Sequence, residues 1–373
     1  MNTSTTGRSA RPSGKTSATA KKAADLVSLY NPKRWKEKGL WWTAGLFVAT
    51  YLVVVVILGI FWSQSPDEFD VSAVALEYAE SDGEILSQSE TEQNLVTGSY
   101  TTAVGLKISD TLLHKSGGYL SNDLTPPGVY LDNIPNWEFG ALTALRDLTH
   151  ALRNRLSRAQ SQSQENPDLQ IAEPQFNYDS ESWILPSTES EYRKGFKALK
   201  RYFDRLSQTG QDSAQFFSRA DNLAAYLEVV EMRLGGLANR LSQAAGKQQY
   251  DTSLAGDPNA QQAAPMPEQQ EVKTSWLKID DNFFEARGYA WGVLHVFEAV
   301  ELDFEKVLQD KNASISLKQI IRELKETQNT IWTPWIMNGT GFGPMANHSL
   351  VMASYLSRAN AGVIDLRRLL REG

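Results

Sequence analysis

Apolar residues recur along most of this chain with helical rather than strand period. Between 216 and 243, Leu223, Leu227, Val230, Leu234, Leu237 and Leu241 alternate steps of four and three, the narrow stripe of a long helix packed against neighbours at a shallow angle. Met352, Leu356, Ala359, Val363, Leu366 and Leu370 repeat those steps near the C-terminus, where Arg367, Arg368 and Arg371 suit the negative end of the helix dipole. Trp137, Ala141, Leu145, Leu148, Leu152 and Leu156 predict a third helix, and Tyr192, Phe196, Leu199, Phe203 and Leu206 a fourth. Further helices are predicted over 280–309, 316–332 and 103–114. No alternating stretch bounded by turn signals accompanies them, so the expected fold is all-α, a multi-helix bundle.

One run is apolar on every side. Leu40 to Trp62 holds 23 consecutive uncharged residues, and about 20 suffice to cross ~30 Å of hydrocarbon. Trp35, Trp41 and Trp42 flank one end and Phe61 and Trp62 the other, where amphipathic rings favour the headgroup boundary. A cleaved signal would have an apolar core of only about 7–15 residues and a small-residue cleavage site, and this run ends in Phe61-Trp62-Ser63-Gln64. The expectation is an uncleaved transmembrane helix, with Gly45 and Ala49 as a small-xxx-small face for homo-oligomer pairing.

Charge orients it. Residues 1–39 carry nine Lys and Arg against Asp25 and Glu37, a surplus of +7, so the other 334 residues carry −14 of the net −7. Lys33, Arg34, Lys36 and Lys38 precede the run, and Asp67, Glu68 and Asp70 follow it. That bias puts the N-terminus in the cytoplasm and the main domain on the outer side, with the lipid bilayer as first partner. The expected order is a disordered basic tail (1–39), the transmembrane helix (40–62), a helical subdomain (63–245), a flexible linker (246–272) and a C-terminal helical subdomain packing on the first (273–373). The linker is marked by Gln261-Gln262-Ala263-Ala264-Pro265-Met266-Pro267. Two further irregular segments are expected, 117–136 with Pro126-Pro127-Gly128, and the Gln/Ser/Pro-rich 161–188 with Trp183-Ile184-Leu185-Pro186.

Candidate chemistry is sparse. The chain has no cysteine, which removes disulfides, thiolate nucleophiles and cysteine zinc sites. His295 and Glu298 lie three apart, but in the reverse order of a di-iron Glu-x-x-His and only once, so no metal site is expected. Gly339, Gly341 and Gly343 lack the lysine and the strand-to-helix setting of a phosphate loop. Asn338-Gly-Thr and Asn347-His-Ser fit a glycosylation pattern by chance. The acidic outer part argues against nucleic acid. No cofactor and no catalytic residue is assigned.

Two aromatic connections stand above background. Tyr119, Asp123, Tyr130, Asp132 and Trp137 cluster within 20 residues, and Trp332, Trp335 and Phe342 cluster in another connection. Such a mix stacks on sugars or anchors a protein partner, and loops packed on bundle ends look the same.

The stretches Gly117-Gly-Tyr-Leu-Ser-Asn-Asp-Leu-Thr-Pro-Pro-Gly128, Pro135-Asn-Trp-Glu-Phe-Gly140 and Ser182-Trp-Ile-Leu-Pro-Ser-Thr-Glu-Ser-Glu-Tyr192 resemble the bacterial family catalogued as domain of unknown function 2333. The resemblance runs from Trp35 to the C-terminus and implies an inner-membrane protein with one N-terminal span and no established activity. The resulting expectation is a non-enzymatic, membrane-anchored interaction or scaffold protein of the cell envelope that meets a protein partner through these loops. The alternative is a peptidoglycan-binding or glycan-cleaving protein using Asp123, Asp132 or Glu138.

Overall fold

The computed structural model describes residues 39–80, 95–159, 164–208, 213–249, 270–333, 335–340 and 345–372. The basic tail up to residue 38, most of the expected linker and Phe342 lie outside the described residues. The expected all-α architecture is what forms. The first helix among the described residues, α1 (Leu40–Trp62), contains no charged residue, and Trp41–Trp62 is long and apolar enough to cross a membrane. Gly45 and Ala49 lie one turn apart on it.

Residues Gly59–Gly373 make a second compact unit. Among the described residues its helices are α2 (Val71–Glu80), α3 (Ser99–His114), α4 (Asn133–Ala151, continued by a π turn, Leu152–Leu156), α5 (Pro167–Phe176), α6 (Thr188–Leu206), α7 (Ala220–Ser242), α8 (Ile279–Asp303), α9 (Glu305–Asp310), α10 (Ser314–Glu326) and α11 (His348–Glu372). α4 packs on α8, α7 on α11, α5 on α6 and α10 on α11, so the helices before and after 246–272 share one core. The ends of the expected linker are not loose. β1 (Lys247–Gln249) pairs antiparallel with β2 (Gln270–Val272), and the segment leaves and returns at one place.

The α4–α8 crossing is closer than large side chains permit. A Cβ on Gly140 would run into the Glu285 carbonyl, one on Gly288 into the Trp137 carbonyl, and one on Gly292 into the Ala144 methyl, 2.6 Å away. Around this seam the side chains of Trp137, Tyr289 and Trp291 are almost wholly enclosed.

Helix ends show why several predicted bounds moved. The 280–309 prediction divides at Phe304, which is buried with its ring 5.8 Å from Phe216 and whose backbone (φ −111°, ψ 14°) leaves the helix. The 316–332 prediction stops at Glu326 because the Arg287 guanidinium donates to the carbonyls of Thr327, Gln328 and Asn329 and closes the helix there. α5 was not predicted. Its start is written in Asn166-Pro167-Asp168, where the Asn166 side chain accepts from the amides of Asp168 and Leu169 and proline takes the first helical position. α3 begins at Gly98 with no side-chain cap of its own. Asp303 supplies one from 205 residues away, accepting from Gly98 N (2.7 Å), Thr101 N (2.7 Å) and Thr101 Oγ1 (2.6 Å). Burial lifts the Asp303 carboxyl to about 6 against the pull of those donors.

Candidate functional site

The two aromatic connections have different fates. In the first, Trp137 lies on the core-facing stripe of α4, fully buried with its ring centroid 5.0 Å from that of Trp291. Tyr119 is also buried, edge-on to Tyr192 with its hydroxyl donating to Ser180 O at 3.0 Å. Neither offers a face to a partner, which corrects the expectation for both. They cluster in sequence because a turn runs directly into a core helix. Tyr130 is exposed on a short 3₁₀ turn, Gly128–Tyr130.

The carboxylates of this connection serve the fold. Asp132 caps α4 by accepting from Asn133 N at 2.9 Å. Glu138 is wholly buried, 2.6 Å from Lys115 Nζ, and accepts from Leu120 N, Ser121 N and Ser121 Oγ. Burial pushes its carboxyl up while Lys115 and these donors pull it back. Asp123 packs so tightly on Gly128 that a Cβ there would overlap it. Its carboxyl is raised by burial and then by nearby Glu189. The three therefore occupy separate environments, with Glu138 sealed inside.

The second connection is an exposed aromatic surface on a clasped loop. Trp332 is 91% exposed and Trp335 67% exposed. Arg287 holds the loop where it leaves α10. At the far end Asn347 Nδ2 donates to Asn338 Oδ1 (2.8 Å) and Gly339 O (2.6 Å), while Asn338 Nδ2 donates to Ala244 O (2.8 Å). His348 N donates to Met337 O, and Met337 N returns a bond to His348 Nδ1 at 3.0 Å. Both asparagines of the glycosylation-like triplets are thus clasp residues. Sequence reasoning missed Trp276, 81% exposed beside β2, which lines with Trp335, Ile336 and Met345 a cleft of about 480 Å³. Trp335 also lines a cleft of about 820 Å³ together with Ser63–Glu68, the chain leaving α1.

A further cleft, of about 760 Å³, opens beside α4 and α7 with Asp147, Glu173 and Glu285 among its walls. Its carboxylates are paired within the fold: Asp147 with Arg233 (3.1 Å), Glu285 with Arg240 (2.5 Å), and Glu173 with Arg153 (2.6 Å). Among the described residues no group of three His, Asp or Glu side chains is arranged to hold a metal. His295 is buried, its ring held between two backbone groups, and it shares no ligand with Glu298, which pairs with Lys325 at 2.7 Å.

Comparison with known proteins finds a family model, described as an uncharacterised protein conserved in bacteria, that matches residues 35–373. No curated protein and no solved structure matches the chain.

Proposed function

The chain belongs to the bacterial family of domain of unknown function 2333, and from that premise we propose that it is a non-catalytic scaffold of the cell envelope. In this reading α1 anchors it in the inner membrane with the N-terminus in the cytoplasm. The helical unit then lies in the periplasm and meets a protein partner through Trp276, Trp332 and Trp335. The observation that carries it is the exposure of Trp332 and Trp335 on a loop held at both ends, with exposed Trp276 lining the same cleft as Trp335, since exposed, pre-positioned aromatics are the anchors of protein interfaces. The shared cleft between Trp335 and Ser63–Glu68 supports a partner that is itself held close to the membrane. Pairing of two chains along Gly45 and Ala49 belongs to the same proposal.

The test is in-cell cross-linking of the full chain and of Trp276→Ser/Trp332→Ser/Trp335→Ser, followed by recovery from membranes. Loss of a covalent adduct in the triple variant, with the fold intact by circular dichroism, is expected. Unchanged adducts overturn the surface. Release of soluble fragments from peptidoglycan by the purified chain would overturn the non-catalytic reading in favour of the glycan-cleaving one. A reporter fused after Gly373 that is active only in the cytoplasm would overturn the orientation.

A further inference from the structure

The last turn of α1 belongs to the same compact unit as the helical bundle, and a particular loop surrounds it. The Trp62 ring lies so close to Gly117 that a Cβ there would stand 2.8 Å from it, and a Cβ on Gly59 would touch Pro127 at 3.7 Å and Leu131 at 3.9 Å. The loop 117–131 therefore sits against the emerging end of the apolar helix. From 124 to 131 it reads Leu-Thr-Pro-Pro-Gly-Val-Tyr-Leu, with no charged residue.

A second tip is joined to the first. Asn122 Nδ2 donates to Ser182 O at 2.9 Å, and Tyr119 Oη to Ser180 O at 3.0 Å. Residues 182–188 read Ser-Trp-Ile-Leu-Pro-Ser-Thr, again without charge. Leu124, Val129, Tyr130, Trp183, Ile184 and Leu185 are between 47% and 89% exposed, and Leu185 is held at φ +51°, a backbone that leucine rarely adopts. Loops facing water carry polar residues. Two adjoining tips that display six large apolar side chains, including a tryptophan and a tyrosine, are built for the boundary between headgroups and acyl chains.

We propose that 124–131 and 182–188 dip together into the headgroup layer around the emerging end of α1, so that the helical unit is seated on the bilayer as well as tethered to it. This rests on the reading of α1 as a membrane span. Connectivity then selects lipid over a protein occupant, because the 117–131 loop packed on Gly59 and Trp62 shares the depth of the end of the span, and the second tip is bonded to that loop through Tyr119 and Asn122. The charged residues flanking both tips, Asp123, Asp132, Glu181 and Glu189, are acidic. Insertion is accordingly apolar, and it needs neither anionic lipid nor low salt. The tryptophan surface at 276 and 335 differs in kind, since Lys273 lines its cleft and Lys278 follows it.

The absence of cysteine makes the test clean. Single cysteines at Tyr130, Leu185, Val54 and Lys306 carry an environment-sensitive fluorophore in the full chain. The chain is reconstituted in phosphatidylcholine vesicles with nitroxides at the headgroup or along the acyl chain. Lys306 is the water control, three residues beyond the Asp303 cap and thus at the end of α3 away from the 117–131 loop. We expect several-fold stronger headgroup-nitroxide quenching at 130 and 185 than at 306, unchanged by salt, and acyl-chain quenching at 54. Quenching at 54 with 130 and 185 behaving like 306 overturns the seating and leaves the span standing. Labels at 130 and 185 shielded from aqueous quencher yet untouched by lipid nitroxides show a protein occupant, which also overturns it. No quenching at 54 removes the span, and the seating with it.

Discussion

The buried Nε2 of His295 accepts the backbone N–H of Phe69 at 3.0 Å, while Nδ1–H donates to Trp291 O at 2.7 Å and the ring stacks on Phe69 with centroids 3.8 Å apart. Trp291 Nε1 adds a bond to Asp67 O at 3.1 Å. Together these fix the chain leaving α1 onto α8. Only neutral imidazole can accept from Phe69, and burial depresses its pKa from 6.5 to about 4. Between those values the unfolded chain binds the proton and the folded one does not. Stability is therefore full above about 6.5 and falls as pH drops toward 4, by on the order of 3 kcal/mol. Asp303, raised from 3.8 to about 6, contributes with the opposite sign in the overlapping range. The difference between wild type and His295→Gln in urea melts at pH 7 and pH 4.5 isolates the histidine, and the variant should lose part of the acid sensitivity.

Two glycines in helices should respond oppositely to alanine. At Gly288 the added methyl meets the Trp137 carbonyl, which cannot move without shifting α4, whereas at Gly236 nothing lies within 4 Å. Gly288→Ala should cost at least about 2 kcal/mol, within the ~1–3 of core overpacking or above it. Gly236→Ala should stabilise by about 0.5–1 kcal/mol through lost chain entropy in the unfolded state. Chemical denaturation of both variants checks the sign of each.

Long stripes were the legible part of this fold. α7 and α11 each repeat six apolar positions, and no local signal competes with them. α5 was hidden because its ten residues sit in polar, proline-bearing sequence with Pro174 inside the helix, and only the Asn166-Pro167 start marks it. In the candidate site, Trp332 and Trp335 were legible as aromatics in a connection between helices. Trp276 was not, because its meeting with Trp335 depends on how the chain returns through β2. Trp137 misled for the converse reason. It lies beside a turn in sequence, yet it opens the stripe that α4 buries, and position on the stripe decides its exposure.

Lys115 and Glu138 form a buried pair whose halves are unequal. Lys115→Met leaves the Glu138 carboxylate enclosed with only Leu120 N, Ser121 N and Ser121 Oγ to satisfy it. That loss should cost about 3–5 kcal/mol. Adding Glu138→Gln removes the stranded charge while keeping an oxygen for the Leu120 and Ser121 amides, so the double variant should be more stable than Lys115→Met alone. A double-mutant cycle by urea denaturation gives the coupling.

Asn347 does two separable jobs in the tryptophan loop. Its Oδ1 accepts Leu350 N at 2.9 Å and caps α11, while its Nδ2 donates to Asn338 Oδ1 and Gly339 O and shuts the loop. Asparagine to alanine at a cap costs about 1 kcal/mol, and each lost hydrogen bond about as much again. Asn347→Asp keeps the cap and suits the helix dipole, but it replaces the donor with an acceptor facing Asn338 Oδ1 and the Gly339 carbonyl. Asn347→Ala should therefore lower stability and open the loop together. Asn347→Asp should hold more of the stability and still open the loop. Limited proteolysis within 327–347, read beside thermal melts, distinguishes the two. If Asn347→Asp resists cleavage like wild type, the side-chain amide is not what closes the loop and the Asn338–Asn347 backbone bridge suffices.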